Sequence, residues 1–107
     1  MARALVNVPP SARRGEIIEI KALIAHPMET GYRHEMDGSL VPRDIIRRFT
    51  CTYNGEVVFE ADLAPAIAAN PFFAFTTVAT ESGILAFSWT GDSGFSQVAT
   101  ARITVLP

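Results

Sequence analysis

Short stretches in which apolar and polar residues alternate dominate this sequence and constrain its fold more than any other feature. From residue 18 to residue 24 every even position is apolar, whereas the odd positions include Glu19 and Lys21. Alternation with a period of two is typical of a β-strand that buries one face. Clusters of Gly, Pro, Asn and Asp separate several such stretches, and this arrangement predicts an all-β protein.

Seven segments of this kind lie along the chain. They cover residues 4–8, 16–25, 45–53, 57–61, 72–79, 84–90 and 95–106. The Asn54-Gly55 pair between two of them is the strongest short signal for a β-hairpin. Residues 9–14 are predicted to form a loop, and residues 62–71 a crossover between sheets that includes at most one helical turn. About seven strands in a chain of this size favour an immunoglobulin-like β-sandwich over an eight-stranded barrel.

Composition and charge exclude several classes of protein. A chain of 107 residues fits one domain, residues 1–107. Apolar residues make up 49% and charged residues only 19%, so intrinsic disorder is excluded. The net charge of -2 argues against a nucleic-acid partner. We also expect no membrane-spanning segment, since no apolar run approaches the ~20 residues that a span needs. No signal peptide is expected either, because residues 1–7 lack its apolar core and Pro9-Pro10 follow.

The buried face of the sandwich is predicted to contain the large aromatic side chains. Trp89 shares a face with Leu85 and Phe87, so we expect it between the sheets. Cys51 lies on the same strand face as Phe49 and Tyr53. Because burial disfavours the thiolate, we expect a raised pKa and an inert thiol.

The residues offer no convincing catalytic or metal-binding constellation. Gly91-Asp92-Ser93-Gly94 is similar to the nucleophile stretch of chymotrypsin-like serine proteases, but four small turn-forming residues between two apolar strands predict a hairpin turn. His26, His34 and Cys51 lack the compact spacing of zinc ligands. We therefore predict no catalytic residue, no metal and no cofactor.

Residues 26–43 are too polar for a core element and are predicted to form a long surface loop or loose hairpin. Loops of this length are often functional, so a free-standing binding module would place its ligand here. Four arginines lie in or after this loop, at Arg33, Arg43, Arg47 and Arg48. Pairing with nearby acidic residues, at Glu29, Glu35, Asp37 and Asp44, is favoured over an anion site.

The stretch around Phe72 puts aromatic rings on both faces of one predicted strand. Phe73 and Phe75 fall on one face and Phe72 on the other. One face should join the core, and the other either contacts a partner or is covered by the preceding crossover.

Several segments together resemble the SoxZ family of bacterial thiosulfate oxidation. The most specific is the motif His26-Pro27-Met28-Glu29-Thr30-Gly31. It is accompanied by similar stretches at residues 20–33, 42–46, 49–55, 66–72 and 80–83. The resemblance covers nearly the whole chain and implies an immunoglobulin-like β-sandwich.

The resemblance also implies a role. SoxZ-like proteins pair with SoxY, whose C-terminal cysteine carries sulfur intermediates between periplasmic Sox enzymes, so this chain is expected to be a non-catalytic subunit of a heterodimer or larger complex. A periplasmic location, reached by export together with a signal-bearing partner, is expected on the same grounds. We predict that Phe72, Phe73 and Phe75 bind the SoxY-type subunit. The loop from His26 to Arg33, including Pro27, Met28 and Glu29, is predicted to contact the enzymes.

Overall fold

The computed structural model describes residues 3–107, and this part of the chain forms eight β-strands and one turn of 3-10 helix. The strands are β1 (Ala4–Asn7), β2 (Ser11–Arg13), β3 (Ile17–Ile24), β4 (Ile46–Tyr53), β5 (Glu56–Asp62), β6 (Phe72–Val78), β7 (Gly83–Gly91) and β8 (Ser96–Leu106). The 3-10 turn, Asp92–Gly94, lies between β7 and β8. Nowhere in residues 3–107 is there a helix long and apolar enough to span a membrane.

The strands form two sheets, which confirms the predicted immunoglobulin-like β-sandwich. One sheet has the order β1-β3-β6, and the other has the order β2-β8-β7-β4-β5. All neighbours are antiparallel except β2 and β8. The prediction of a loop over residues 9–14 is wrong at β2, which pairs with the end of β8. Three residues are too few to show a periodic pattern, and this strand forms because its long-range neighbour supplies the hydrogen bonds.

The space between the sheets is filled by side chains from alternate positions of the central strands. Trp89, Phe87 and Leu85 are fully buried, as their shared strand face predicts. The register places Phe49 opposite Trp89 on neighbouring strands. These large rings remove apolar surface from water and form the centre of the core.

Phe49 stands at the middle of an aromatic cluster that joins the two sheets. Its ring stacks on Phe73 with centroids 4.5 Å apart, and Phe59 stacks on Phe75 at 4.4 Å. Phe73 and Phe75 therefore face the core, whereas Phe72 on the opposite face is 58% exposed. This outcome confirms that one face of the β6 strand joins the core.

Two connections also follow the sequence predictions. Asn54 and Gly55 both have positive φ, at 48° and 86°, as a tight hairpin turn between β4 and β5 requires. Residues 63–71 carry the chain from the five-stranded sheet to the three-stranded sheet. They contain a hydrogen-bonded turn from Ala64 to Ile67, and not a helix.

Candidate functional site

Residues 29–44 form a hairpin-like extension between β3 and β4, which we call the arm. At its base Glu29 and Asp44 exchange two backbone hydrogen bonds, of 2.9 and 2.8 Å. Near its tip the N–H of Glu35 donates to the carbonyl of Ser39 at 2.7 Å. The predicted loose hairpin is therefore confirmed, and its backbone is held at both ends.

The arm exposes apolar side chains together with an ion pair. Tyr32, Met36 and Leu40 are all largely in solvent, and Met36 at the tip is fully exposed. Arg33 donates to the Glu29 carboxylate at 2.7 Å, which confirms the predicted local pairing. This hydrogen bond lowers the pKa of Glu29 and raises that of Arg33. The arm thus presents a mixed apolar and charged surface, of the kind that protein interfaces use.

His26 anchors the base of the arm from inside the protein. Its side chain is buried and packs edge-on against Phe95, with ring centroids 4.9 Å apart. Its backbone N–H donates to Asn70 Oδ1 at 2.9 Å, and its Nδ1 accepts a hydrogen bond from the Met28 N–H at 3.0 Å. His26 was predicted as an enzyme-contact residue, and the structure places it beneath the surface as a support.

Met28 is also buried, at 4% exposure, and its sulfur accepts a hydrogen bond from the Ile46 N–H at 3.3 Å. The prediction that residues 26–43 stay out of the core is therefore wrong for His26 and Met28. Their burial is tolerated because His26 Nδ1 and the Met28 sulfur each accept a hydrogen bond from a backbone N–H. The signal was present in the sequence, since the buried even positions of β3 from Ile20 to Ile24 simply continue through both residues.

The other residues predicted for enzyme contact lie nearer the surface. Pro27 and Arg33 are exposed, and Glu29 is half-buried beside its arginine partner. Their contact with enzymes remains a prediction.

Arg43 fixes the arm to the 3-10 turn through a bidentate ion pair. Its Nε and Nη2 lie 2.8 and 2.9 Å from the two carboxylate oxygens of Asp92. Asp92 also accepts from the Ile45 N–H at 3.2 Å, and the Arg43 hydrogen bond lowers the pKa of Asp92. Sequence reasoning missed this role, because it paired Arg43 with acids close in the chain and treated Asp92 only as part of a turn.

Arg48 is engaged on the five-stranded sheet. It reaches Glu60 at 2.7 Å and Asp62 at 2.5 Å, both on β5, and not the acids of the arm. Arg33 and Arg43 each hold one carboxylate, and Arg48 holds two. In the described residues these three arginines therefore form dispersed ion pairs and not one converging anion site. Only Arg33 pairs with an acid of the predicted set, whereas Arg43 and Arg48 pair with acids outside it.

Cys51 lies in the core with its side chain fully buried. Burial raises the pKa of the thiol to about 12, as its place on the buried strand face predicts, and its inertness stays a prediction. Across residues 3–107, no three His, Cys, Asp or Glu side chains come together in a group that could hold a metal ion.

Phe72 belongs to an apolar row on the outer face of the three-stranded sheet. The register aligns Leu5, Leu23 and Phe72 across β1, β3 and β6. Phe73 and Phe75 instead take part in the aromatic core. All three phenylalanines were predicted to bind a partner, a prediction that remains untested, and Phe72 alone of the three points outward from the sandwich.

The sequence matches one protein-family model over residues 6–102. That family is described as the sulphur oxidation protein SoxZ. The search of curated proteins finds no match.

Solved structures show the same fold. The superoxide reductase (neelaredoxin) from Ignicoccus hospitalis aligns with a TM-score of 0.75 and 16% identity, over 96% of this chain and 80% of its own. The sulfur carrier protein SoxY from Chlorobium limicola f thiosulfatophilum aligns with a TM-score of 0.67 and 12% identity, over 97% and 79%. At such identities the likeness shows a shared fold alone.

Proposed function

The chain belongs to the SoxZ family of sulphur oxidation proteins, and from this premise we propose that it is the non-catalytic subunit of a sulfur carrier, bound to a SoxY-type subunit. In this complex the partner's cysteine holds the sulfur intermediate covalently while Sox enzymes act on it. The observation that carries the proposal is the family match over residues 6–102.

The chemistry of Cys51 supports a sulfur-holding cysteine on the partner and a non-catalytic role for this chain. A thiol that carries sulfur must ionise and must reach the enzymes that load and unload it. Cys51, the only cysteine of the chain, is fully buried, and its pKa is raised to about 12. These properties support a carrying thiol on the partner subunit and not on this chain.

The arm is the surface that we assign to enzyme recognition. It extends from the sandwich, exposes Tyr32 and Met36, and is held at its base by His26 and the Arg43–Asp92 pair. A fixed base lets an exposed arm present one shape to several enzymes without paying a large ordering cost at each encounter. We place the complex in the periplasm, reached by export together with the signal-bearing partner.

The complex itself is the first test. The tagged chain is isolated from its native cells grown on thiosulfate and weighed intact by native mass spectrometry. We expect a complex with a SoxY-type subunit that bears sulfur adducts, with Cys51 unmodified. A Cys51→Ala variant should retain the adducts, because they sit on the partner. Isolation of the chain without a SoxY-type subunit would contradict the proposal.

The arm is tested separately with the assembled complex. The substitutions Tyr32→Ser and Met36→Ser should slow thiosulfate oxidation by the reconstituted enzymes. They should leave the complex intact, because both side chains lie in solvent. A matched control is Val98→Ser, an exposed apolar residue on the outer face of the five-stranded sheet. Equal rates for the arm variants and the unaltered complex would remove the arm from enzyme recognition.

A further inference from the structure

Strand β6 lies at an edge of the three-stranded sheet, and half of its backbone groups point away from the sheet. Beyond the two ends of its ladder with β3, the Ile24 N–H donates to the carbonyl of Pro71, and the Ala79 N–H to that of Glu16. In an antiparallel ladder, hydrogen-bonded pairs alternate with pairs that are not hydrogen-bonded. Phe73, Phe75 and Thr77 therefore bond to β3. The N–H and C=O groups that point outward belong to Phe72, Ala74, Thr76 and Val78.

These outward groups make no hydrogen bond to any other part of residues 3–107. They lie on a strand of seven residues, about 23 Å long at ~3.3 Å per residue. We call this row of unpaired groups the β6 edge. Such a row is a template for pairing with a further strand.

The other strand edges of the two sheets are protected, and the β6 edge is not. β1 and β2 have only four and three residues. β5 carries charged side chains and a bulge in its register with β4. β6 has no charged residue, no proline and no glycine, and its register with β3 is uninterrupted. Proteins normally blunt a solvent-exposed edge with such features, so their absence here points to an edge that is covered in the assembled protein.

Apolar side chains flank the β6 edge on both faces of the sheet. On the inner face Phe59 and Phe75 stack beside the opening between β5 and β6, and both rings remain partly exposed. On the outer face the row of Leu5, Leu23 and Phe72 ends at the edge. An added strand would bury apolar surface on both faces as well as pairing the backbone groups.

We propose that the β6 edge pairs with an edge strand of the SoxY-type subunit, so that the three-stranded sheet continues across the interface. This inference rests on the function proposed above. SoxY from Chlorobium limicola has the same sandwich fold, so a SoxY-type partner brings strand edges of its own. The pairing strand must be uncharged at its centre, with apolar side chains on the face that meets Phe59 and Phe75.

Residue-resolved hydrogen exchange tests the pairing directly. In the chain alone, the amides of Phe73, Phe75 and Thr77 should exchange slowly, and those of Ala74 and Thr76 fast. In the complex, the amides of Ala74 and Thr76 should slow by roughly 100-fold or more, because exchange then requires the interface to open. The outward amides of β5 serve as the control and should not change.

Proline substitution tests the same edge by affinity. Thr76→Pro removes an outward N–H that the fold does not use, and its ring blocks an approaching strand. We expect the dissociation constant to rise about tenfold or more. Thr76→Val, which keeps the N–H, and Glu60→Pro, on the charged β5 edge, should both bind as the unaltered chain does. The thermal transition of each variant shows whether it folds.

Three results would overturn the proposal, and each is distinct. A complex that forms while Ala74 and Thr76 still exchange fast would place the interface elsewhere. Protection of these amides in a pair of copies of this chain that excludes the SoxY-type subunit would make a second copy the occupant. Absence of any complex with a SoxY-type subunit would refute the proposed function itself, and this inference with it.

Discussion

The Tyr53 hydroxyl joins parts of the molecule that are far apart in the chain, and its removal is a sharp test of how the sandwich is held together. Tyr53 ends β4, and its ring is buried. The hydroxyl accepts hydrogen bonds from the N–H groups of Thr80 and Glu81, at 3.3 and 3.2 Å, and donates to the carbonyl of Glu81. It therefore fixes the connection that follows β6 to a strand of the opposite sheet.

The substitution Tyr53→Phe keeps the buried ring and deletes these three hydrogen bonds. A typical hydrogen bond contributes about 1 kcal/mol net, and more is lost when a partner is left buried and unpaired. Thr80 and Glu81 are exposed, so water can replace part of what they lose. We expect the free energy of unfolding to fall by about 1.5 kcal/mol. For a domain of this size the thermal midpoint then falls by about 5–10 °C.

Urea unfolding followed by tryptophan fluorescence measures this loss, since Trp89 lies in the core. Tyr32→Phe is the matched control, because Tyr32 is 77% exposed on the arm and the same substitution should change stability by less than about 0.5 kcal/mol. If Tyr53→Phe were no more destabilising than Tyr32→Phe, the hydroxyl would contribute nothing to joining the sheets, and our account would be refuted.

Three further predictions follow from single residues. Gly91→Ala would place a Cβ 2.4 Å from the Ile45 carbonyl oxygen, a backbone atom that cannot rotate away, and should cost about 2–3 kcal/mol in the same urea assay. Cys51 should react with iodoacetamide only as fast as the chain unfolds, because its thiol is buried and its pKa is about 12; rapid labelling of the native chain would contradict this. The pKa of Asp92 is lowered in the fold, so its stabilising contribution is present above the ordinary carboxyl pKa and lost as the pH falls through the lowered value. Asp92→Asn should remove that part of the acid dependence, and an unchanged pH profile would show that the ion pair with the arm is unimportant.

Much of the fold could be predicted because the patterns that indicate its strands and hairpin involve residues that are close together in the chain. Alternation marked β3, β4, β7 and β8, and the Asn54-Gly55 pair marked the hairpin, since each pattern depends on neighbours in the chain. The burial of Trp89 followed from the same alternation. The strand β2 could not be predicted in this way, because its pairing with β8 joins residues more than 90 positions apart.

The candidate site was predicted less completely for the same physical reason. The hairpin character of residues 26–43 follows from composition, but the anchors of the arm depend on long-range contacts. Arg43 and Asp92 are 49 positions apart, and His26 and Asn70 are 44 apart. The bare edge of β6 likewise becomes visible only when the sheet order and the register are known, because the sequence does not say which strand stands at an edge.

The arm and the β6 edge are tied together at one point of the structure. Asn70, just before β6, accepts a hydrogen bond from the His26 N–H and donates its own N–H to the His26 carbonyl, at 2.9 and 2.7 Å. His26 in turn positions the first residues that lead into the arm. A partner bound at the β6 edge and an enzyme bound at the arm would therefore meet in a fixed relation, set by these two hydrogen bonds and by the β3–β6 ladder. Such a relation would suit the carrier role that we propose, because the distance from a docked enzyme to the sulfur-bearing partner would then be the same at every encounter.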